Sequence, residues 1–348
     1  MKLSDFDFDL PERLIAQTPL TERDQSRLMV VDRATGAIHH ESFKSLPQYL
    51  ADHPLMILND TKVIPARLLG KKRKTGKDIE LLLTREQSPM VHEALVKGLN
   101  RLNPGEEIVF GNSEIVATFI ERRGDKGLFS FRPGDTIAHF IKKQGKTPLP
   151  HYIKRESPDD AHLEKLDRER YQTVYSQSPG AIAAPTAGLH FTTEMLEEIR
   201  SAQADIATLT LHVGPGTFQP IRTEDISLHK MEKEQFHIPV ETWNLICRAQ
   251  EMGQKVLAVG TTSTRTLEWM KFDTLKNEDV TGWTDRFIYP GQKFNTVDQL
   301  LTNFHLPRST LYMLVCAFAT QDLMDTVYKE AVQAKYRFFS YGDAMLIL

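Results

Sequence analysis

Apolar residues in this chain come in short runs that stop abruptly at polar clusters. Leu55-Met-Ile-Leu58 is continuous and apolar, then gives way to Asn59-Asp-Thr61, the pattern of a buried strand. Ile206 to Val213 alternates instead: Leu209, Leu211 and Val213 share one face and Thr208, Thr210 and His212 the other. That strand closes in Gly214-Pro-Gly-Thr217. Lys255-Val-Leu-Ala-Val259 runs into Gly260-Thr-Thr-Ser263, with a helix expected from about Arg265. Leu300-Leu-Thr-Asn-Phe-His305 leads to Pro307 and a helix over 308–320 that is apolar nearly all round and so should be buried. Further helices are expected near Pro11 and over 193–203, 241–253 and 322–336. A hairpin is expected over 28–40 around Thr35-Gly36, and strands over 229–238, over 286–291 and at the end of the chain. Buried strands interleaved with helices give an α/β fold with a mixed sheet.

From about Ala66 the pattern changes. Short strand-like runs recur at 79–83, 94–96, 107–110, 115–120 and 128–131, punctuated by Gly, Pro and Asn. This predicts a small all-β barrel inserted at 66–150 into an α/β catalytic domain made of 1–65 and 151–348. Residues 157–170 are charged and polar and read as a loop. The insert holds sixteen Lys and Arg against ten Asp and Glu, a net of +6. The whole chain is −3, which leaves −9 for the remainder. The asymmetry points to an anionic partner for the insert, although each basic cluster taken alone also reads as a solvated loop. Lys71-Lys-Arg-Lys74, Arg122-Arg123 and Lys142-Lys143 are the clusters. No aromatic-interleaved RNA-binding signature accompanies them.

The rest of the composition narrows the class. A length of 348 residues suits about two domains. Cys247 and Cys316 both sit in apolar helical patterns and read as small buried hydrophobes, so no disulfide framework or cysteine zinc site is expected. The acidic start of the chain does not read as a signal peptide, and the apolar run Leu311–Ala319 is short of the about 20 residues a bilayer needs. The expected location is the cytoplasm.

Candidate chemistry centres on 171–191. Pro179 to Gly188 is mostly Ala, Gly, Pro and Thr, residues that let backbone approach a ligand, and it leads through His190 into a Thr192-capped helix. His190, His212 and His305 each lie in a glycine-, proline- or hydroxyl-rich stretch, as candidate acid–base groups or as hydrogen-bonded structural histidines. Thr261, Thr262 and Ser263 follow a strand and suit a carboxylate or phosphate. No dinucleotide fingerprint, P-loop, nucleophile elbow or metal-ligand spacing is present. These features fit a cofactor-free α/β enzyme.

At the same residues the chain resembles the S-adenosylmethionine:tRNA ribosyltransferase-isomerase family of queuosine biosynthesis. The motifs include Asp5-Phe-Asp-Phe-Asp-Leu-Pro, Leu58-Asn-Asp-Thr, Pro65-Ala-Arg-Leu, Tyr171-Gln-Thr-Val-Tyr and Ala183-Ala-Pro-Thr-Ala-Gly-Leu-His-Phe. They continue with Leu211-His-Val-Gly, Val259-Gly-Thr-Thr-Ser-Thr-Arg-Thr-Leu-Glu, Thr302-Asn-Phe-His-Leu-Pro and Tyr336-Arg-Phe-Phe-Ser-Tyr-Gly-Asp-Ala-Met. The chain departs from the family pattern at Glu232, where a second histidine is usual, and at Leu149-Pro-His-Tyr, where Pro-Pro-Tyr is usual. The resemblance implies transfer and isomerisation of the ribosyl moiety of S-adenosylmethionine onto 7-aminomethyl-7-deazaguanine in the tRNA anticodon. The products are epoxyqueuosine-tRNA, adenine and methionine. S-adenosylmethionine is then a substrate, and no cofactor or metal is implied. His190, His212 and His305 become candidate acid–base residues. Thr186, Gly188, Thr217, Thr262, Ser263 and Asn303 are candidates to hold the substrate, and Glu268 to meet the methionyl ammonium. Arg67, Lys71 and Lys72 are candidates for tRNA phosphate. The alternatives are an S-adenosylmethionine-dependent RNA methyltransferase and a non-catalytic tRNA-binding protein. Oligomeric state is not legible.

Overall fold

The computed structural model describes residues 1–132, 137–155, 161–202, 204–218, 221 and 223–348, with backbone only at Ala202, Thr217 and Phe218. The chain divides into two compact units. One comprises Met1–Lys62, Pro150–Glu156 and Arg170–Leu348; the other comprises Val63–Leu149 and Ser157–Glu169. The strands, in chain order, begin with β1 (Arg27–Val31), β2 (Ile38–Ser42), β3 (Leu55–Asn59) and β4 (Thr61–Val63). Next come β5 (Arg67–Lys72), β6 (Asp78–Ser88), β7 (Val91–Val96), β8 (Glu107–Val109), β9 (Val116–Arg123) and β10 (Lys126–Arg132). After helices α1 (Ile137–Gln144) and α2 (Ala161–Arg170) follow β11 (Ser178–Ala181), α3 (Thr193–Ala202), β12 (Asp205–Leu211), β13 (Glu234–Ile238) and α4 (Val240–Met252). The chain ends with β14 (Val256–Val259), α5 (Thr261–Leu267), β15 (Val280–Thr284), β16 (Gln299–Asn303), α6 (Thr310–Ala319), α7 (Gln321–Gln333) and β17 (Ala344–Ile347).

The first unit is built on a nine-stranded mixed sheet in the order β15-β13-β12-β3-β14-β16-β17-β1-β2. Its centre, β12-β3-β14-β16, is parallel, with Ile57 of β3 level with Ala207 and Ala258 on either side. Continuous apolar sequence is what a central parallel strand requires, because both faces are covered. All five residues of β3 are buried. Leu28, Met56, Leu58, Leu257, Val259, Leu301 and Leu346 from the sheet meet Leu196 and Ile199 of α3 and Phe43 and Leu46 of the 3₁₀ segment before β3. Each fully buried side chain of this size contributes about 1.5–3 kcal/mol. Helix α6 is buried along almost its whole length, as its sequence predicts.

The second unit carries a closed barrel, β10-β7-β6-β5-β8-β9. Alternation in β6 turns Ile79, Leu81 and Leu83 inward, where they join Phe110, Phe119, Phe129 and Phe131 in its core. The mixed-sheet α/β domain with an inserted β-barrel, expected from sequence, is the fold observed.

Several elements differ from expectation. Residues 161–170, read as part of a loop, form α2; residues 157–160 lie outside those described. The stretch has good helix formers, Leu163-Glu-Lys-Leu, but no apolar stripe to signal them. Helix α5 starts at Thr261, not near Arg265. Its hydroxyls compete little with the helix because Ser263, Thr264 and Thr266 donate to the carbonyls of Val259, Gly260 and Thr262, four residues back. The strand near Trp283 is β15, Val280–Thr284, and 286–291 is irregular. The strand expected over 229–238 is confined to Glu234–Ile238. Part of the basic cluster Lys71-Lys-Arg-Lys74 belongs to β5, and Lys142-Lys143 lies on α1.

Candidate active site at the strand ends

Because β12, β3, β14 and β16 run parallel, their carboxyl ends lie on one edge of the sheet, where open α/β sheets hold ligands. Asn59, the last residue of β3, ties this edge together. It is 0% exposed. Its Nδ2 donates to the Leu211 carbonyl at 3.1 Å and to Thr262 Oγ1 at 3.2 Å. Its Oδ1 accepts from the backbone N–H groups of Thr61 at 3.1 Å and Leu211 at 3.0 Å. One side chain thus fixes the ends of β12, β4 and α5. Beside it, Thr210 donates to Asp60 Oδ1 at 2.6 Å. The Asp60 carbonyl in turn accepts from the backbone of Gln177 and Ser178.

A narrow crevice lies on this edge, lined by Ala184 to Ala187, Val213, Gly260, Thr261, Thr262, Thr302, His305 and Leu311, with a cavity volume of about 20 Å³. Thr186, Thr262 and His305 therefore meet, although 119 positions separate the first and last in sequence. The His305 ring pairs through Nε2 with Thr302 Oγ1 at 2.9 Å, and burial lowers its pKa to about 3. It is a neutral imidazole at any ordinary pH.

The other two histidines face elsewhere, because neighbouring residues at strand ends point to opposite sides. Val213 lines the crevice; His212 turns to the β4–β11 ribbon. There His212 Nδ1 meets Thr61 Oγ1 at 2.8 Å, and the ring lies so close to Gly180 that a Cβ there would come within 2.9 Å of it. Half-buried His212 has its pKa lowered by desolvation, an effect Asp60 opposes. Thr302 likewise lines the crevice, whereas Asn303 donates to the Phe339 carbonyl at 3.1 Å and pairs with His190 Nε2 at 3.2 Å. The Nδ1 of His190 meets Ser26 Oγ at 2.7 Å. Burial first, then the positive charge of Arg337 and Arg23, lower the His190 pKa to about 3. Neither His190 nor His305 is protonated at neutral pH in this state.

Among the remaining expected residues, Gly188 serves close approach: an added Cβ would lie 2.0 Å from the Tyr175 hydroxyl. Ser263 is buried and its hydroxyl donates to the carbonyl of Val259 at the end of β14, at 2.8 Å. The side chain of Thr217 lies outside the described residues. The buried carboxylate of Glu268 accepts from the backbone N–H groups of Asn295 at 2.8 Å, Thr296 at 3.0 Å and Val297 at 2.8 Å, and Glu268 is not among the residues that line the crevice. On the barrel, Arg67 pairs with Glu80 at 2.8 Å, Lys71 with Asp78 at 3.7 Å and Lys72 with Glu106 at 3.1 Å. These basic residues already have acidic partners within their own unit.

Sequence reasoning missed the ion pair of Arg265 and Glu234, both buried, whose carboxylate also accepts from the Gly214 N–H at 2.8 Å. Its only sequence signal was an arginine inside a run of small residues after a buried strand. Among the described residues no group of three or more His, Cys, Asp or Glu could hold a metal ion, and no helix is long and apolar enough to cross a membrane.

The family model described as "Queuosine biosynthesis protein" matches residues 3–347. The chain belongs to the queuosine biosynthesis protein family. Curated relatives named S-adenosylmethionine:tRNA ribosyltransferase-isomerase cover 100% of both chains. They are 48% identical in Symbiobacterium thermophilum, 47% in Caldanaerobacter subterraneus subsp. tengcongensis and 46% in Staphylococcus haemolyticus. The crystal structure of S-adenosylmethionine tRNA ribosyltransferase from Thermotoga maritima is 36% identical and aligns with a TM-score of 0.55 over 99% of this chain and 100% of that one. The family resemblance read from the motifs is borne out over the full length.

Proposed function

We infer that this chain is an S-adenosylmethionine:tRNA ribosyltransferase-isomerase, as its relatives are named. It transfers and isomerises the ribosyl moiety onto 7-aminomethyl-7-deazaguanine in the tRNA anticodon, releasing adenine and methionine. S-adenosylmethionine is the donor substrate, and on this reading no other cofactor takes part. The observation that carries the assignment of the site is the convergence of the β3, β12, β14 and β16 ends on one hydroxyl-lined crevice. Thr186, Thr261, Thr262 and Thr302 present polar groups suited to a ribose, and Ala184, Pro185 and Leu311 present apolar surface suited to an adenine ring.

The chemistry follows from the sulfonium. Its positive charge acidifies the adjacent C5′ protons, so a neutral base beside it starts the reaction. His305 is the histidine in the crevice, and the burial that keeps it unprotonated there also weakens it as a base. For the same reason neither it nor His190 brings a proton to the departing adenine. The test is incubation of the protein with S-adenosylmethionine and tRNA carrying the precursor base, followed by mass spectrometry of the tRNA and chromatography of the small molecules. Epoxyqueuosine-tRNA with free adenine is expected. A methylated tRNA with S-adenosylhomocysteine, or tRNA binding with no turnover, contradicts the assignment.

A further inference from the structure

Helix α5 is a run of hydroxyl residues with a single charge in it, Arg265. That charge has no access to water. The Arg265 side chain is 2% exposed, and that of its partner Glu234, at the start of β13, is 3% exposed. Arg265 Nη2 donates to Glu234 Oε2, and Glu234 Oε1 accepts from the Gly214 N–H at 2.8 Å. One carboxylate thus ties α5 to the turn that follows β12. The same turn lies close against the segment leading into β13, since a Cβ added at Gly216 would sit 2.9 Å from the Glu232 Cβ. The two elements tied in this way both supply walls of the crevice. Val213, the neighbour of Gly214, is one; Thr261 and Thr262, in the first turn of α5, are the other. Neither Arg265 nor Glu234 lines the crevice, so the pair acts on it through the backbone it holds. Stability alone gives no reason for charges in this place, because apolar side chains of similar volume commonly do as well as a buried ion pair or better. What the pair adds is direction: a charge-assisted hydrogen bond on each carboxylate oxygen sets the spacing of the elements that carry the partners.

We propose that Arg265 and Glu234 are positioning residues for donor binding, which hold Val213 at a set distance from Thr261 and Thr262. The proposal rests on the function inferred above for the identity of the donor. Asn59 fixes the same strand end from the other direction, through the Leu211 backbone and Thr262 Oγ1. The segment from Leu211 to Gly214 is therefore held at both ends, by an amide side chain at Leu211 and by a carboxylate at Gly214. Removing the ion pair releases the Gly214 end and leaves Leu211 in register. The consequence then falls on the crevice and not on the sheet. A displacement of about 1 Å in a residue that bounds a site is enough to cost on the order of a hundredfold.

The test uses the full chain and the double variant Glu234→Leu with Arg265→Met, which replaces both charges by apolar side chains and strands neither. Three properties are measured: the thermal midpoint, S-adenosylmethionine affinity by calorimetry, and amide hydrogen exchange over residues 211–216. The expected result is a thermal midpoint at or above that of wild type, S-adenosylmethionine affinity lower by about tenfold or more, and faster exchange at Gly214. Arg265→Lys keeps the charge but not the planar fork, and its affinity is expected to lie between the two. A folded double variant that binds S-adenosylmethionine as wild type does overturns the proposal. So does a double variant that fails to fold beside an Arg265→Lys protein of wild-type donor affinity, since the pair then serves stability alone. A wild-type protein that binds no S-adenosylmethionine refutes the inferred function instead, and exchange at Gly214 then decides by itself whether the pair holds the turn.

Discussion

Replacing Asn59 by alanine removes one side chain that makes four hydrogen bonds in a fully buried place. Each is worth about 1 kcal/mol net, and the backbone N–H and C=O of Leu211 and the N–H of Thr61 are left without their partner away from water. The loss of stability is therefore about 3–5 kcal/mol, most of it from stranded backbone groups and not from lost volume. Asn59→Asp preserves shape and both accepting contacts but cannot donate to the Leu211 carbonyl or to Thr262, so it is expected to cost at least as much. The assay is urea unfolding followed by tryptophan fluorescence. Trp243, Trp269 and Trp283 are the only tryptophans and all lie in the sheet unit, so the signal reports that unit and not the barrel. Because Asn59 also sets the position of Thr262, affinity for S-adenosylmethionine should fall at least tenfold under conditions where the variant is still folded. A midpoint shift equivalent to less than about 1 kcal/mol with unchanged donor affinity would refute the idea that this residue holds the strand ends in register.

Other outcomes follow from single contacts. Tyr175 has a buried hydroxyl with no partner among the described residues, so Tyr175→Phe should leave stability equal or higher by about 1–2 kcal/mol in the same unfolding assay. Gly188→Ala should be strongly destabilising, and Tyr175→Phe should rescue part of that loss. His190 and His305 are neutral in the folded protein down to about pH 3, whereas in the unfolded chain they take up protons below about 6.5. Their contribution is complete above about pH 6.5 and is lost as pH falls toward 3, by up to about 1.4 kcal/mol per pH unit for each, measurable by unfolding at stepped pH. Replacing both with glutamine should flatten that slope. Glu268→Ala strands the backbone N–H groups of 295–297 and should cost about 3 kcal/mol or more, while donor affinity in the folded fraction stays as in wild type. A selective loss of donor affinity would restore Glu268 to the ammonium.

What was legible in the sequence was the set of strand ends. A buried parallel strand must be apolar throughout, and its exit must be polar, so Leu55–Asn59, Val256–Val259 and Gln299–Asn303 announce themselves. Which residues at those ends share a cavity was not legible. That depends on a one-residue alternation at each strand's last position, and it separates Thr302 from Asn303 and Val213 from His212. Glu268 read as a free carboxylate because its partners, the N–H groups of 295–297, lie 27 to 29 residues away and carry no side-chain signal. Arg67 and Lys72 read as part of a basic surface because their partners come from elsewhere in the barrel, Glu80 from β6 and Glu106 from the turn before β8. Charge counts along a chain do not register pairing across a sheet.

The central claim is that the donor occupies the crevice between Thr186, Thr262, Thr302 and His305. Ala184 lines that crevice and is buried, so Ala184→Leu fills it from within without altering the surface. The deciding measurement is S-adenosylmethionine binding by this variant, by calorimetry, alongside its thermal midpoint and its yield of epoxyqueuosine-tRNA. Loss of binding and of product with the thermal midpoint kept is the predicted result; a filled variant that binds S-adenosylmethionine and converts tRNA as wild type does would contradict the account.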